Sequence, residues 1–137
     1  MTSKKLFIDS DILLDLFFDR RPYSQFAQKL FDIDLKSSFT LYTSSLVAAN
    51  LHNIISKQRG KDYAKDCLSV LLKYITILPL NGDAVLFGLT DVFNDFEDSL
   101  QYFTATENKC SVIITRNLKD YKNSTIPVLT AEHYFKA

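Results

Sequence analysis

Neither sign of charge prevails in this sequence: 16 Lys and Arg stand against 16 Asp and Glu, for a formal net charge of zero. That balance excludes a uniformly basic nucleic-acid binder, so any polyanion has to bind a local patch. Cysteine is scarce as well. Cys67 and Cys110 lie far apart, each inside an apolar segment and without metal-like spacing, and read as two buried reduced thiols in a reducing cytoplasm. No hydrophobic run is long enough to cross a membrane. The first is short and broken by Asp9, Asp11 and Asp15, which argues against a cleavable signal peptide and against any membrane partner. Internal repeats, low-complexity tracts and evident linkers are missing too.

What is present is a core. Of 137 residues, 47% are hydrophobic and 13% aromatic, enough for residues 1–137 to fold as one globular domain. Lys5 to Ile8 reads as a buried strand, and the segment to about Asp19 as a short, densely apolar helix. Pro22 suits the first turn of a second helix that turns Phe26, Leu30, Phe31 and Leu35 inward. Phe39 to Tyr42 gives a second strand. Ser44 or Ser45 caps a third helix bearing Leu46, Ala49, Asn50, Asn53 and Ile54 on related turns, and Gly60 ends it. Tyr63, Cys67, Leu68, Leu71 and Leu72 mark a fourth helix, followed by a strand from Ile75 to Leu80. Asn81-Gly82-Asp83 is the turn and cap of a helix to about Phe93, and Asp95-Phe96-Glu97-Asp98 opens the next. Ser111 to Thr115 forms a fourth strand, Pro127-Val128-Leu129 a short last one, and a terminal turn starts at Thr130. Apolar strands alternating with helices predict an α/β fold. It is a single doubly wound domain with a central, mostly parallel sheet of four to five strands flanked by helices.

Open sheets of this kind bind ligands beyond the carboxyl ends of their strands. Asp9 sits at such an end, where nothing about terminating a buried strand requires a charge. Asp11, the group Asp95, Glu97 and Asp98, and Asp120 share that edge. Like charges gathered in one crevice raise one another's pKa until a cation neutralises them, and oxygen-only ligands suit Mg²⁺ or Mn²⁺. Plainer roles are also open: a helix-start carboxylate for Asp98, a turn residue for Asp120, and caps or solvated positions for Asp11, Asp15 and Asp19.

Three segments carry a family resemblance. Phe7-Ile8-Asp9-Ser10-Asp11-Ile12-Leu13-Leu14-Asp15-Leu16, Asp95-Phe96-Glu97-Asp98-Ser99-Leu100-Gln101-Tyr102 and Ile113-Ile114-Thr115-Arg116-Asn117-Leu118-Lys119-Asp120-Tyr121 resemble, in order and spacing, the signature segments of PIN-domain ribonucleases. Arg21-Pro22-Tyr23-Ser24 and Ile126-Pro127-Val128-Leu129-Thr130 extend the resemblance over nearly the whole chain. It is similar above all to the small bacterial PIN proteins, many of them VapC-like toxins of toxin–antitoxin pairs. The resemblance implies an endoribonuclease in which acidic residues hold one or two Mg²⁺ or Mn²⁺ ions that activate water against an RNA phosphodiester. It also implies an antitoxin protein as partner and a homodimer. Carried over by residue, Asp9 matches the first acidic position and Asp98 the third. The fourth region offers Asn117 or the later Asp120, and Thr115 matches a hydroxyl that supports the first-strand carboxylate. Asp95 and Glu97 would support the same cluster. The family's usual second acidic residue, a Glu, is replaced by Asn50, whose amide oxygen can ligate a hard cation but brings no charge and cannot act as a base.

Arg116, beside the crevice, suits a bidentate phosphate contact or an ordinary surface position, and Arg20 and Arg21 could track an RNA backbone or form a solvated charge run. His52 and His133 read as surface or packing residues. Two other functions fit parts of the pattern. One is a PIN scaffold that has lost activity and binds RNA or protein, favoured by Asn50. The other is a haloacid-dehalogenase-type phosphatase, in which Asp9 would be the nucleophile and Asp11 the general acid.

Overall fold

The apolar run at the start becomes β1 (Lys4–Ile8), whose last three residues are fully buried. A computed structural model describes residues 4–32 and 38–136. After β1 come α1 (Ser10–Phe17), α2 (Tyr23–Lys29), β2 (Phe39–Ser44), α3 (Ser45–Arg59), α4 (Lys61–Leu71) and β3 (Ile75–Leu78). Then follow α5 (Gly82–Gly88), α6 (Phe96–Glu107), β4 (Val112–Ile114), a 3₁₀ turn (Leu118–Tyr121), β5 (Val128–Leu129) and α7 (Ala131–Lys136). The sheet order is β3-β2-β1-β4-β5, and all four pairings are parallel, so the expected mostly parallel sheet is parallel throughout. The chain steps outward from β1 to β3, then returns past β1 to lay down β4 and β5. That reversal opens a crevice at the carboxyl ends of β1 and β4, where an open α/β sheet receives its ligands.

Two cores form because side chains alternate along each strand. Leu6 and Ile8 enter one core with Leu13, Leu30, Leu51, Ile55 and Leu71, beneath α1 to α4 and α7. Phe7 and Ile113 enter the other, which is mostly aromatic: Phe93 lies 4.7 Å from Tyr102 and 6.1 Å from Tyr121 by ring centroid. Each fully buried side chain of this size contributes about 1.5–3 kcal/mol relative to exposure, which is why so apolar a set of strands settles between two helical layers.

Helix starts are set by short polar side chains. Ser44 Oγ accepts from the Val47 N–H at 3.1 Å, Asn81 Oδ1 from Ala84 at 3.0 Å and Asp95 Oδ1 from Asp98 at 2.9 Å. Gly60, at φ +90°, makes the break between α3 and α4 that an L side chain would resist.

Several expectations shift. The buried line of α3 is Val47, Leu51 and Ile55 at four-residue spacing, while Ala49 and Asn53 are exposed. On α4 it is Ala64, Cys67 and Leu71 that go inward, and Tyr63 and Leu72 are exposed. The first helix stops at Phe17, because Asp19 adopts φ +48° and the Arg20 N–H turns back to the Asp15 carbonyl. The fifth ends at Gly88 rather than near Phe93, closed by the Thr90 N–H and hydroxyl on the Phe87 carbonyl. Leu35, expected on the second helix, lies outside the described residues. Both cysteines are buried free thiols, and among the described residues no helix is long and apolar enough to cross a membrane.

Candidate active site

Asp9 follows β1 directly, and its N–H donates to the Ile114 carbonyl at 3.0 Å, which fixes it where β1 meets β4. Its Oδ1 caps α1 by accepting from the Ser10 N–H at 2.8 Å. Its Oδ2 accepts from Thr115 Oγ1 at 3.0 Å and from the Tyr121 hydroxyl at 3.1 Å. The side chain is almost wholly buried. Burial raises its carboxyl pKa, three hydrogen bonds work against that rise, and the charge of Asp120 adds to it.

Two further carboxylates feel the same surroundings. Asp11 accepts from the Arg116 N–H at 2.8 Å and from Thr115 Oγ1 at 3.3 Å, and burial followed by the charge of Asp9 pushes it up to about 6. Asp98, in the first turn of α6, receives the Tyr121 hydroxyl at a long 3.5 Å. Burial, then the charges of Asp95, Asp9 and Asp120, push it up to about 7. Asp120 is exposed at the rim, yet its charge reaches both Asp9 and Asp98. The fold thus gathers Asp9, Asp98, Asp120 and Thr115 from three distant parts of the chain.

Other expected residues sit further out. Asp95 is an exposed cap and Glu97 an exposed first-turn residue of α6. Asn117 is exposed, and its N–H donates to Thr115 Oγ1 at 3.1 Å. Asn50 is half-buried on α3 and is not among the hydrogen-bond partners of Asp9, Asp11 or Asp98 within the described residues.

Arg116, Arg20 and Arg21 each face an aspartate. Arg116 donates from Nε and Nη2 to Asp15 at 2.7 and 2.9 Å, and its guanidinium lies 4.0 Å over the Tyr23 ring. Gripping a phosphate with that fork would break the pair. Asp15, expected as a cap or solvated residue, is fully buried, because its place on the inward side of α1 puts it under Arg116. Arg20 approaches the same carboxylate at 3.8 Å and Arg21 approaches Asp19 at 3.4 Å, both on the surface.

Sequence reasoning missed three nearby residues. Lys119 and Lys122 line a cleft of about 350 Å³ with Asp95, Asp120 and Asn123, and Tyr121 enters the cluster from beneath. The alternation of Lys119, Asp120, Tyr121 and Lys122 in a short turn after the fourth strand was the available signal.

The donor chemistry suits a hard divalent ion, since only oxygens converge and their mutual repulsion is what a cation relieves. Among the described residues no group of three or more His, Cys, Asp or Glu side chains is placed to hold a metal. The residues that would hold one are Asp9 and Asp98, with Asp120 at the rim.

A wholly parallel α/β sheet with aspartates collected at its switch point defines the class, and the chain belongs to the PIN domain family, whose profile matches residues 5–119. Nucleases of this family are generally dependent on divalent metal ions. Membership removes the phosphatase alternative. Over 139 residues the chain is 30% identical to Ribonuclease VapC1 of Aquifex aeolicus (strain VF5), covering 98% of this chain and 95% of that one. Its fold is similar to VapBC-1 from nontypeable Haemophilus influenzae, with TM-score 0.71, 16% identity and 93% and 98% of the two chains covered. It is also similar to VapBC2 from Rickettsia felis, solved with a promoter DNA fragment, with TM-score 0.70, 18% identity and 91% and 96% covered.

Proposed function

We propose that this protein is a metal-dependent endoribonuclease that hydrolyses RNA phosphodiesters, the toxin of a toxin–antitoxin pair acting in the cytoplasm. The observation that carries the reading is the convergence of Asp9 and Asp98 on one buried hydroxyl, within the field of Asp120, at the sheet's switch point. Similarity to a protein named as a ribonuclease and to VapBC toxin–antitoxin structures supports it. In this reading residues 1–137 act as one unit, paired as a homodimer and held in check by an antitoxin protein.

Asp9 and Asp98, with Asp120 at the rim, would hold Mg²⁺ or Mn²⁺, and the amides of Asn50 and Asn117 would be at most outlying neutral contributors. The ion, when bound, lowers the pKa of its water and offsets charge on the phosphoryl oxygens. Thr115 keeps Asp9 aimed at the crevice, and Asp95 and Glu97 add negative potential. Lys119 and Lys122 are the lysines best placed for RNA phosphates, because Arg116, Arg20 and Arg21 already face aspartates.

The test is cleavage of a labelled single-stranded RNA by the wild type in Mn²⁺, by the wild type in EDTA and by Asp9→Asn in Mn²⁺. Asparagine retains an oxygen for the Ser10 N–H, so the α1 cap and the fold survive while a charge and a ligand are lost. Cleavage is expected in the first reaction alone, and undiminished cleavage by folded Asp9→Asn rejects the assignment. A second reading, a PIN scaffold without activity, is favoured by Asn50, which brings no charge where the family usually has a Glu. It predicts neither Mn²⁺ uptake nor cleavage by the wild type.

A further inference from the structure

Tyr121 ends the 3₁₀ turn after β4 with its ring in the aromatic core, 1% exposed and edge-on to Phe93, where a phenylalanine would pack equally well. A buried phenol needs a hydrogen-bond partner. This one has two: Asp9 Oδ2 at 3.1 Å and Asp98 Oδ1 at 3.5 Å. A single hydroxyl proton therefore lies between two acids that repel each other when ionised. Among the described residues no other side chain is hydrogen-bonded to both, since Thr115 reaches Asp9 and Asp11 but not Asp98.

We propose that Tyr121 is a positioning residue that bridges Asp9 and Asp98 in the metal-free protein and competes with the divalent cation for the gap between them. The inference rests on the metal-dependent reading above. A hydroxyl dipole offers each oxygen a partial positive charge, whereas a divalent ion offers a full one, so the ion displaces the bridge. The hydroxyl keeps two like charges together until the ion arrives and weakens its binding by the strength of the bridge lost. Tyr121→Phe keeps the ring and deletes only the bridge, leaving the two carboxylates facing each other with a stronger demand for a cation.

The experiment is calorimetric titration of Mn²⁺ into full-length wild type and Tyr121→Phe at about pH 8.5, above the ordinary carboxylate range. Tyr121→Phe should bind about tenfold more tightly, the loss expected from one charge-assisted hydrogen bond. Phe93→Leu, which loosens the same packing but keeps the Tyr121 hydroxyl, should not tighten binding. Equal or weaker binding by folded Tyr121→Phe overturns the inference alone, as does equal tightening by Phe93→Leu. No uptake by either wild type or Tyr121→Phe sinks the metal-dependent reading and the competition together. In the metal-free protein the bridge has its own readout: ¹³C-carboxyl resonances of both Asp9 and Asp98 should move in Tyr121→Phe, and movement of Asp9 alone contradicts it.

Discussion

Asp98 shows how one side chain ties chemistry to stability. Its carboxyl is pushed from 3.8 up to about 7 by burial and by the charges of Asp95, Asp9 and Asp120, and Asp11 moves the same way, up to about 6. Between the ordinary value and the raised one, the folded protein keeps protons that the unfolded chain has released. Stability in EDTA should therefore be fully present near the lower end of that range, fall as pH rises through about 7, and level off above. Thermal melts across this range should show the decline, and Asp98→Asn should flatten part of it. A wild-type melting temperature that rises over the same interval would contradict the cause assigned here. Mn²⁺ should reverse the decline, because it favours the ionised forms. Asp9 could be singled out as a candidate in the sequence because ending a buried strand does not require a charge, although the folded chain also uses it to cap α1. Tyr121 could not, since its partners Asp9 and Asp98 lie 112 and 23 residues away and only the folded chain brings them together.

At the scale of elements, the Asp15–Arg116 pair joins α1 to the loop after β4 across 101 residues. Asp15 is fully buried, while the Arg116 side chain keeps 29% of its exposure. Removing the cation leaves a buried charge with the more weakly placed Arg20, at 3.8 Å, as its remaining ion-pair partner among the described residues, so Arg116→Ala should cost about 3 kcal/mol, the lower end for a broken buried pair, in urea denaturation. A loss below about 1 kcal/mol would reduce the pair to an ordinary surface bridge. Helix starts were readable because Ser44, Asn81 and Asp95 cap within three residues of themselves. The inward face of α3 was not. Leu46 and Ile54 are as apolar as Val47 and Ile55, and which pair points inward depends on how the helix lies against the sheet. The ends of α1 and α5 were misjudged for a related reason, as apolar residues continue past both helices: half-buried Phe18 after α1, and exposed Leu89 and Val92 followed by buried Phe93 after α5.

For the molecule as a whole, strand and helix alternation was enough to predict a doubly wound sheet, but not the order β3-β2-β1-β4-β5, which depends on where each crossover lands. Zero net charge with lysines at one cleft implies that RNA is held by few phosphate contacts. RNA affinity should fall with salt along a shallow slope, and Lys119→Ala and Lys122→Ala should each lower that slope by roughly 0.7, the value for one contact on a single strand. Fluorescence anisotropy over a salt series, in EDTA with Ca²⁺ added back if needed, measures it, and slopes identical to wild type would move the RNA elsewhere. Everything proposed for this site depends on the carboxylates at the switch point holding a divalent ion. The most direct measurement is calorimetric titration of Mn²⁺ into folded wild type, Asp9→Asn and Asp98→Asn at about pH 8. Binding should be saturable in the wild type and lost or weakened by more than about tenfold in each variant. Equal affinity in all three proteins would contradict this assignment.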